Sequence, residues 1–428
     1  MKILVVGSGG REHTIVWKLS KSRHVDKIYA APGNFGISSM CKCVNINVTE
    51  LEALADFAEK KEIDLTVVGP ELPLTMGIVD VFEEKGLKIF GPTKKASEIE
   101  GSKAFAKEFM RKYHIPTASF RIFENYEDAR DFVESNDTPL AIKADGLAAG
   151  KGALICLNRM ESMKALDSMM VKKVFGSAGT RVIIEDILVG EEVSVMAFTD
   201  GKTIAPMVSA QDHKRIFDGG FGPNTGGMGA FSPTKVVNDR MMRAIMEQIM
   251  EPTVEGLRQE DRLFKGILYA GLMVTEIGPK VIEFNCRFGD PETQVVLPLL
   301  KSDLAEIFLS IVEDELELQD IVWKEESAVC VVMASEGYPE KPVKGRRIHG
   351  LKDVRKEGCM VFHAGTSRGK DGHVITSGGR VIGIAATDRK LQGAIAKAYK
   401  GVGRVSFEGA QFRKDIGHVV GGVKSSFF

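Results

Sequence analysis

Three polar residues alternate with apolar ones in the segment Ile282–Arg287. If this segment is a β-strand, Glu283, Asn285 and Arg287 share one face, while the apolar residues Ile282, Phe284 and Cys286 point into the core. Carboxylate and amide oxygens are hard ligands that suit Mg²⁺ held through substrate phosphates. A guanidinium beside them could bind a carboxylate or phosphoryl group through two hydrogen bonds. The alternative is an exposed strand face with incidental polar residues.

A glycine-rich stretch, Asp145–Gly152, follows a predicted strand that carries Lys143. It superficially resembles a P-loop, but it has one residue too few between its glycines, and Gly152 stands where Ser or Thr should bind magnesium. It also leads into another strand rather than into a helix. We interpret it as a mobile flap over a polyphosphate, and a flexible connecting loop is the alternative.

A second glycine-rich segment, Gly219–Gly229, holds six glycines in eleven residues. Its backbone amides could surround a carboxylate or a phosphoryl group in transfer. The preceding segment, Gln211–Arg215, adds polar side chains, including Asp212. A disordered surface loop is the competing interpretation.

The first predicted strand runs into the turn Gly7–His13, which opens a helix. Glycines let the backbone approach a ligand, and a helix N-terminus favours an anion. A dinucleotide-binding fingerprint would need glycine at position 12, which is Glu12, and an acid after the second strand, which is absent. Because Arg11 and His13 flank the turn, a phosphomonoester site is favoured over a nicotinamide site, and a plain strand-to-helix turn is the alternative.

The composition is that of an ordinary folded protein of 428 residues, enough for about three domains at roughly 150 residues each. Its 57 basic and 58 acidic residues give a net charge of -1, which argues against a general nucleic-acid or anionic-membrane binder. The longest apolar run, Ala328–Ala334, is far shorter than the roughly 18 residues of a spanning helix. The six cysteines show no metal-ligand spacing, and we expect free thiols in a reducing cytoplasm.

Strand and helix signals alternate over the first hundred residues, which predicts an open parallel α/β sheet. The middle of the chain reads as α+β, with antiparallel hairpins at 193–206 and 269–285. The last hundred residues predict a small sheet-plus-helix module with a hairpin over 374–386. We place the domains at 1–101, 102–324 (with a mobile subdomain at about 117–192) and 325–428.

The motifs, in their order, resemble those of the ATP-grasp superfamily. Within it they are similar to the ligase family that joins glycine to 5-phosphoribosylamine in purine biosynthesis. The resemblance covers essentially the whole chain. It rests on Gly7–His13, Pro32–Asn34, Gly69–Pro73, Gly101–Lys103, Lys143–Gly152, Gly190–Glu192, Gln211–Arg215, Asn224–Gly229 and Glu283–Thr293.

The resemblance implies a pre-ATP-grasp N-terminal domain, an ATP-grasp domain with ATP between two small sheets, and a small β-rich C-terminal domain. Mg²⁺ or Mn²⁺ would be held by Glu283 and Asn285. A further acid usual on the preceding strand of ATP-grasp proteins is missing here. The ATP-binding residues implied are Lys103, Lys143, Gly150, Lys151, Gly152, Glu185, Asp186, Leu188 and Glu192.

The implied reaction begins when the glycine carboxylate attacks the γ-phosphorus of ATP, and 5-phosphoribosylamine then displaces phosphate from glycyl phosphate. The residues implied in catalysis are Arg287, Lys143, Gly227 and Asp212. Those implied in substrate binding are Gly9, Gly10, Arg11, Glu12, His13, Asn34, Glu71, Asp212, Gly226, Gly227, Met228 and Arg287. We expect small-molecule substrates, no nucleic acid or membrane partner, and a monomer or small homo-oligomer.

Three other functions stay open at this point. Another ATP-grasp enzyme, such as a biotin-carboxylase-like carboxylase or a formyl-transferring ligase, would share the ATP site and differ in its substrate. A Rossmann oxidoreductase is disfavoured by Glu12 and by the missing ribose acid. A regulatory module that only binds ATP would have no use for the metal-binding face or the phosphate lysines.

Overall fold

An open parallel sheet forms the N-terminal part of the chain in the computed structural model, which describes residues 1–147 and 152–418. Its strands are β1 (Lys2–Gly7), β2 (Lys27–Pro32), β3 (Lys42–Cys43), β4 (Leu65–Val68) and β5 (Ile89–Phe90). They lie in the order β3-β2-β1-β4-β5, and every neighbouring pair is parallel, as predicted. The helices are α1 (Gly10–Leu19), α2 (Leu51–Lys61), α3 (Glu71–Met76), α4 (Ile78–Glu84) and α5 (Lys94–Gly101).

Strand β1 explains why this sheet needs a continuous apolar sequence. Ile3 and Val5 belong to one hydrophobic core, whereas Leu4 and Val6 belong to another. Both faces of the sheet are therefore covered, which is the usual state of a parallel sheet.

A second, antiparallel sheet follows and has a small core of its own. Its elements, in chain order after α6 (Lys103–Lys112), are β6 (Phe120–Phe123), α7 (Tyr126–Glu134), β7 (Leu140–Ala144), β8 (Ala153–Cys156), α8 (Arg159–Leu166) and β9 (Val182–Asp186). The strand order is β6-β9-β7-β8.

The next segment supplies strands to three sheets. Its strands are β10 (Glu191–Thr199), β11 (Ile204–Pro206), β12 (Gln211–Asp212), β13 (Arg215–Phe217), β14 (Phe221–Asn224), β15 (Gly229–Ser232), β16 (Gly266–Thr275) and β17 (Gly278–Asn285). The antiparallel order β11-β10-β16-β17 confirms both predicted hairpins, while β13 and β14 pair only with each other. The helices are α9 (Asp239–Ile245), α10 (Glu251–Gln259), α11 (Thr293–Val296) and α12 (Leu304–Val312), and a π-helical turn joins α9 to α10.

The last sheet joins the middle of the chain to its C-terminal part. Its elements there are β18 (Ser327–Ala334), α13 (Leu351–Lys356), β19 (Met360–His363), β20 (Thr366–Arg368), β21 (Val374–Thr376), β22 (Arg380–Asp388) and α14 (Leu391–Val402). The order β12-β15-β18-β22-β19 places β12 and β15 in the same sheet as the C-terminal strands. The predicted boundary between 324 and 325 thus falls between paired strands, β15 and β18.

The predicted hairpin over 374–386 was wrong. Strand β21 pairs with β20, whereas β22 pairs with β18 and β19. The connecting residues hydrogen-bond elsewhere, because Ser377 N–H donates to Gly365 O and Gly379 O accepts from Ser335 N–H, both at 2.8 Å. In the described part of the chain, no helix combines the length and apolarity needed to cross a membrane.

Candidate functional site

Strand β17 and the bend after it bring the three predicted polar residues together: Glu283 and Asn285 lie on β17, which ends at Asn285, and Arg287 lies two residues beyond its end. The Nη2 atom of Arg287 lies 3.0 Å from Asn285 Oδ1, and the charge of Arg287 helps to lower the pKa of Glu283. Phe284 and Cys286 are buried in the core, as the alternation predicts. The polar face is therefore a real feature of the fold.

The expectation that Ile282 also points into the core was wrong. A β-bulge shifts the pairing of β17 with β16 at this point, so Ile282 is half-buried and Val281 is the fully buried residue. The carbonyl of Ile282 instead accepts a hydrogen bond of 3.2 Å from Lys143 Nζ.

The guanidinium of Arg287 is almost fully used by protein acceptors. Its Nε donates to Glu71 (3.0 Å) and its Nη1 to the carbonyl of Phe288 (3.2 Å), while Nη2 contacts Asn285 (3.0 Å) and Glu100 (2.8 Å). An arginine has five N–H donors. Contacts within the described residues therefore leave one Nη1–H for a ligand, fewer than the two that a bidentate clamp needs.

Glu71, predicted to bind substrate, is held by cations of the protein. Burial alone would raise the pKa of Glu71, but Arg287 and Arg11 outweigh it and lower the pKa to about 2. Its Oε2 atom is 3.0 Å from Arg287 Nε and 3.9 Å from Arg11 Nη1. Any contact with substrate would have to use the rest of the carboxylate.

Glu283 and Asn285 form an oxygen donor set that fits a divalent cation. Burial would raise the pKa of Glu283, but Lys214, Lys103 and Lys143 outweigh it, so the pKa stays below its usual value and the carboxylate is ionised. The Asn285 oxygen has a second lone pair besides the one facing Arg287. Position 271, opposite Glu283 on β16, is glycine, which agrees with the missing further acid.

Lys214 lies between the carboxylates of Glu192 and Glu283. We call the region lined by these residues and by the polar face of β17 the cleft. The Nζ atom of Lys214 pairs with Glu192 and is 3.8 Å from Glu283. Burial would lower the pKa of Lys214, but Glu192, Glu283 and Asp212 outweigh it and raise the pKa well above its usual value. Glu192, expected among the ATP-binding residues, is thus ion-paired in this structure, and sequence reasoning gave Lys214 no role of its own.

Two lysines share one buried carboxylate between the sheet β6-β9-β7-β8 and the sheet β11-β10-β16-β17, the two central sheets. Lys143 on β7 and Lys107 on α6 each place Nζ 2.9 Å from the same oxygen, Oε2, of Glu185 on β9. Lys107 also donates to Thr117 Oγ1 at 2.6 Å. The other oxygen of Glu185, Oε1, is buried and has no hydrogen-bond partner among the described residues. The cluster carries two positive charges and one negative charge, so it favours an anion.

Lys103 marks the base of the glycine-rich stretch. Its Nζ donates to the carbonyl of Gly146 at 2.8 Å. Asp145 accepts hydrogen bonds at the start of α6 from Ser102 Oγ and Ala104 N, both at 3.0 Å, and from Arg181 Nε at 2.6 Å. This end of the stretch is therefore fixed to α6.

The remaining predicted ATP-binding residues have fewer contacts that define a role. Gly150 and Lys151 lie outside the described residues. The carbonyl of Gly152 accepts a 2.8 Å hydrogen bond from Ala144 N within the sheet. Asp186 ends β9 and is exposed, and Leu188 follows it half-buried.

The backbone donors of the second glycine-rich segment are engaged by the protein. The N–H of Gly226 donates to Tyr338 Oη (2.9 Å), that of Gly227 to Thr225 Oγ1 (3.0 Å) and that of Met228 to the carbonyl of His213 (2.9 Å). In this structure the segment therefore contributes shape to the cleft, and the predicted N–H donation to a substrate would need these bonds to open.

Asp212 is a half-buried carboxylate without a hydrogen bond or ion pair to the described residues. Burial raises its pKa well above the usual value, and Glu292 and Glu192 raise it further against the opposing effect of Lys214 and Arg380. A cationic ligand beside Asp212 would oppose these effects and stabilise the ionised carboxylate. The structure thus marks Asp212 as a place where an ammonium group would be stabilised.

Glu292 is a cleft residue for which sequence reasoning proposed no role. Its Oε1 atom accepts from Tyr269 Oη at 2.6 Å and from Ser194 Oγ at 3.0 Å. In the sequence, Glu292 stands out only as one of two acids in the segment after Arg287. Its partners lie on β10 and β16, which are distant in the sequence, so this segment alone does not reveal its contacts.

The turn at the start of α1 is held by its own side chains. Glu12 accepts from Gly9 N (2.5 Å) and from Arg11 Nε (2.6 Å), and Asp290 accepts from Arg11 N at 3.4 Å. A Cβ on Gly10 would lie 2.6 Å from the amide nitrogen of Gln294, so this glycine permits close packing. The turn lies at the cleft, but part of its donor capacity is already used.

His13 and Asn34 connect the N-terminal sheet to the C-terminal part of the chain. Burial, together with His363, lowers the pKa of His13 to about 3, and its Nδ1 accepts from His363 N at 2.7 Å. The Asn34 amide donates to the carbonyls of Ser8 and His363, both at 2.8 Å, and accepts from Ile37 N at 3.0 Å. Both residues therefore act in this structure as links between domains.

A cavity of about 700 Å³ opens between the start of α1 and the C-terminal sheet. Ser8 and Gly9 line one side, and Arg368, Ser377 and Arg380 line the other. Sequence reasoning missed the C-terminal residues because no motif singles them out. Arg368 is exposed, lies over the ring of Phe35, and forms no ion pair with the described residues, so its charge is available to an anion.

The cleft as a whole combines the lysine cluster, the oxygen donors of Glu283 and Asn285, and the acids Asp212 and Glu292. It lies next to the cavity that contains Arg368. Such an arrangement can hold a polyphosphate with a divalent cation, a small ammonium compound and a second anionic ligand close together. It has the parts for phosphoryl transfer, in which positioning and charge neutralisation supply most of the catalysis.

Comparison with known protein families gives three matches in chain order. Residues 1–100 match "Phosphoribosylglycinamide synthetase, N domain", residues 101–293 its "ATP-grasp (A) domain" and residues 328–419 its "C domain".

Curated relatives match over nearly the whole chain. A phosphoribosylamine–glycine ligase of Caldanaerobacter subterraneus subsp. tengcongensis is 51% identical, over 97% of this chain and 99% of that protein. The human trifunctional purine biosynthetic protein adenosine-3 is 49% identical over 97% of this chain, which corresponds to 42% of that longer protein.

Among solved structures, the phosphoribosylamine–glycine ligase of Thermotoga maritima superposes with a TM-score of 0.85 at 32% identity, covering 97% of this chain and all of that chain. The biotin carboxylase domain of Hydrogenobacter thermophilus 2-oxoglutarate carboxylase has a TM-score of 0.73 at 16% identity, over 96% of this chain and 91% of that chain. The second likeness concerns the fold alone.

Proposed function

Because the chain belongs to the phosphoribosylglycinamide synthetase family, we propose that it is an ATP-dependent ligase of purine biosynthesis. It joins glycine to 5-phosphoribosylamine and gives glycinamide ribonucleotide, ADP and phosphate. The observation that carries the proposal is the match along nearly the whole chain to curated ligases of this activity. The likeness to a biotin carboxylase domain, at 16% identity, is one of fold.

We place the ATP phosphates at the lysine cluster between the two central sheets. Lys143, Lys107 and Glu185 carry a net positive charge in a buried setting, where a polyphosphate is attracted more strongly than in water. Lys103 adds a further cation at the base of the glycine-rich stretch. The other predicted ATP contacts stay predictions: Gly150, Lys151, Gly152, Asp186, Leu188 and Glu192.

Glu283 and Asn285 would hold the divalent cation, Mg²⁺ or Mn²⁺. The ionised carboxylate and the amide oxygen are the ligand types that such hard cations take alongside phosphate oxygens. When bound, the cation neutralises charge on the phosphates during transfer.

Glycine would bind with its ammonium group at Asp212, because that carboxylate is the one without a protein partner in the described cleft. Its own carboxylate attacks the γ-phosphorus of ATP and forms glycyl phosphate and ADP. Lys214, whose Nζ atom is 3.8 Å from Glu283, and the remaining Nη1–H of Arg287 would stabilise the charge of the transferring group. The amine of 5-phosphoribosylamine then displaces phosphate and forms the amide.

The phosphoribosyl end would occupy the cavity beside α1. The cavity is large enough for a sugar phosphate, and Arg368 and the helix N-terminus both favour an anion there. The predicted substrate-binding turn, Gly9–His13, forms part of its surroundings.

We expect the reaction to take place in the cytoplasm, because all six cysteines are free thiols and fit a reducing compartment. The proposed partners are the small-molecule substrates, with no nucleic acid or membrane. A monomer or a small homo-oligomer stays the expectation for the assembly.

The test is ADP release from ATP and Mg²⁺ with glycine and freshly generated 5-phosphoribosylamine, each substrate being omitted in turn. We expect stoichiometric ADP and glycinamide ribonucleotide only when all substrates are present. Glu283→Ala should abolish turnover, whereas Glu276→Ala, an exposed acid at the preceding turn, should not. ADP formation that ignores glycine, or AMP as the product, would reject the assignment.

A further inference from the structure

Two side chains of the C-terminal sheet region hold the main chain of a single cleft residue, Gly226, one at its C=O and the other at its N–H. Arg380 Nη1 donates to the carbonyl of Gly226 at 2.5 Å, and Tyr338 Oη accepts from the N–H of Gly226 at 2.9 Å. The same Nη1 atom lies 2.6 Å from the carbonyl of Asp290. The C-terminal domain thus fixes two segments of the cleft at once.

These segments are packed so closely that small shifts would be felt at Asp212. A Cβ on Gly226 would lie 3.1 Å from the guanidinium carbon of Arg380. A Cβ on Gly227, whose φ is +108°, would lie 2.4 Å from Pro291 Cδ and 3.3 Å from Asp212 Oδ2. Asp212 therefore sits directly against the segment that Arg380 holds.

The cation of Arg380 is kept in place by an acid of the same cleft. Its Nη1 atom is 3.3 Å from Asp290 Oδ1. Burial would lower the pKa of Arg380, but Asp290 and more distant acids outweigh it, so the residue stays charged. A charged guanidinium forms stronger hydrogen bonds to carbonyls than a neutral donor does.

We propose that Arg380, assisted by Tyr338, is a positioning residue that sets the site of the glycine ammonium at Asp212. This inference rests on the proposed function, because it assigns glycine to that carboxylate. The C-terminal domain thereby determines the affinity for glycine through main-chain contacts and through the charge of Arg380 near Asp212, without touching glycine itself.

The experiment compares Arg380→Ala, Arg380→Lys and Tyr338→Phe with the wild type and with Arg389→Ala, an exposed arginine just after β22. Steady-state ADP release gives KM for each of the three substrates. We expect Arg380→Ala to raise KM for glycine about tenfold or more, and Tyr338→Phe about two- to tenfold, with KM for ATP unchanged. Arg380→Lys should retain part of the affinity, and Arg389→Ala should behave as the wild type.

Chemical rescue adds a readout that mere loss of stability would not give. Guanidinium chloride at a low, non-denaturing concentration should lower KM for glycine in Arg380→Ala and leave the wild type unaffected. If Arg380→Ala does not fold, Arg380→Lys and Tyr338→Phe decide the question.

Three results would overturn the inference. They are an unchanged KM for glycine, an equal rise of all three KM values, and a rise confined to 5-phosphoribosylamine, which would make Arg380 a ligand of the sugar phosphate. Glycine-dependent ADP release by the wild type is measured first. Its absence would reject the proposed function, whereas its presence with any of these three results rejects only the role of Arg380.

Discussion

Lys107 offers a test of the buried lysine cluster that does not depend on turnover. The residue is 2% exposed, and its Nζ atom contacts Glu185 and Thr117. Burial, together with the nearby Lys143, lowers the pKa of Lys107 from 10.5 to about 8, although Glu185 opposes the shift. Relative to the neutral amine, the charged form of Lys107 is therefore less favourable in the folded protein than in the unfolded chain.

The sign and size of the effect follow from proton linkage. Between pH 8 and 10.5 the unfolded chain holds the proton of Lys107 more tightly than the folded protein does, so stability rises with pH in this window. At ~1.4 kcal/mol per pH unit, the contribution amounts to about 3 kcal/mol. Below pH 8 the full cost of the buried charge is present, and above 10.5 it is gone.

The perturbation is Lys107→Met, which keeps a long unbranched side chain and removes the charge. Lys143 stays paired with Glu185 at 2.9 Å, so no buried charge loses its only partner. We expect the Tm of the variant, relative to the wild type, to be highest near pH 7 and to fall between pH 8 and 10. The measurement is a series of thermal unfolding curves at fixed ionic strength.

The matched control is Lys112→Met on the same helix, because Lys112 is largely exposed and pairs with Glu260 at the surface. Its Tm difference from the wild type should not fall over this pH range. A Tm difference for Lys107→Met that is independent of pH would refute the reasoning, because Lys107 would then titrate as in the unfolded chain.

Two further variants test the substrate ends of the cleft. Asp212→Asn should raise KM for glycine about tenfold or more, because a charge-assisted hydrogen bond is lost, while KM for ATP stays constant. In the wild type, glycine affinity should fall as the pH drops through the raised pKa of Asp212, and Asp212→Asn should remove this dependence; an identical pH profile of KM would contradict the assignment. Arg368→Ala should raise KM for 5-phosphoribosylamine about tenfold and leave KM for glycine unchanged. A wild-type KM in that variant would place the phosphate elsewhere.

The grouping of polar residues around β17 was predictable because its signal is local. The alternation placed Glu283 and Asn285 on one side of β17 because the two-residue period of a strand is a property of the chain itself. Arg287 lies in the bend just beyond the strand and still contacts Asn285. The bulge that turns Ile282 out of the core depends on the pairing with β16, which the sequence of β17 does not contain. The same limit applies to the hairpin expected near position 378.

Contacts between distant segments were beyond sequence reasoning. Lys107 lies one helical turn after Lys103, but its role follows from Glu185, which lies 78 positions away. Arg380 lies 154 positions from Gly226, and only the packing of the C-terminal sheet brings them together. Conversely, the amide of Asn34 was expected at the substrate and is used by main-chain groups, because domain contacts also need polar side chains.

The glycines of the segment 226–229 show why a motif can be recognised correctly and still be given the wrong physical reason. A cluster of glycines suggests free N–H donors around an anion. Here the N–H groups of Gly226 and Gly227 donate to Tyr338 and Thr225, and a Cβ at position 227 would lie only 2.4 Å from Pro291 Cδ. Glycine is required because the backbone must approach its neighbours closely, and this close approach is what allows a residue from a different domain to control the place of Asp212.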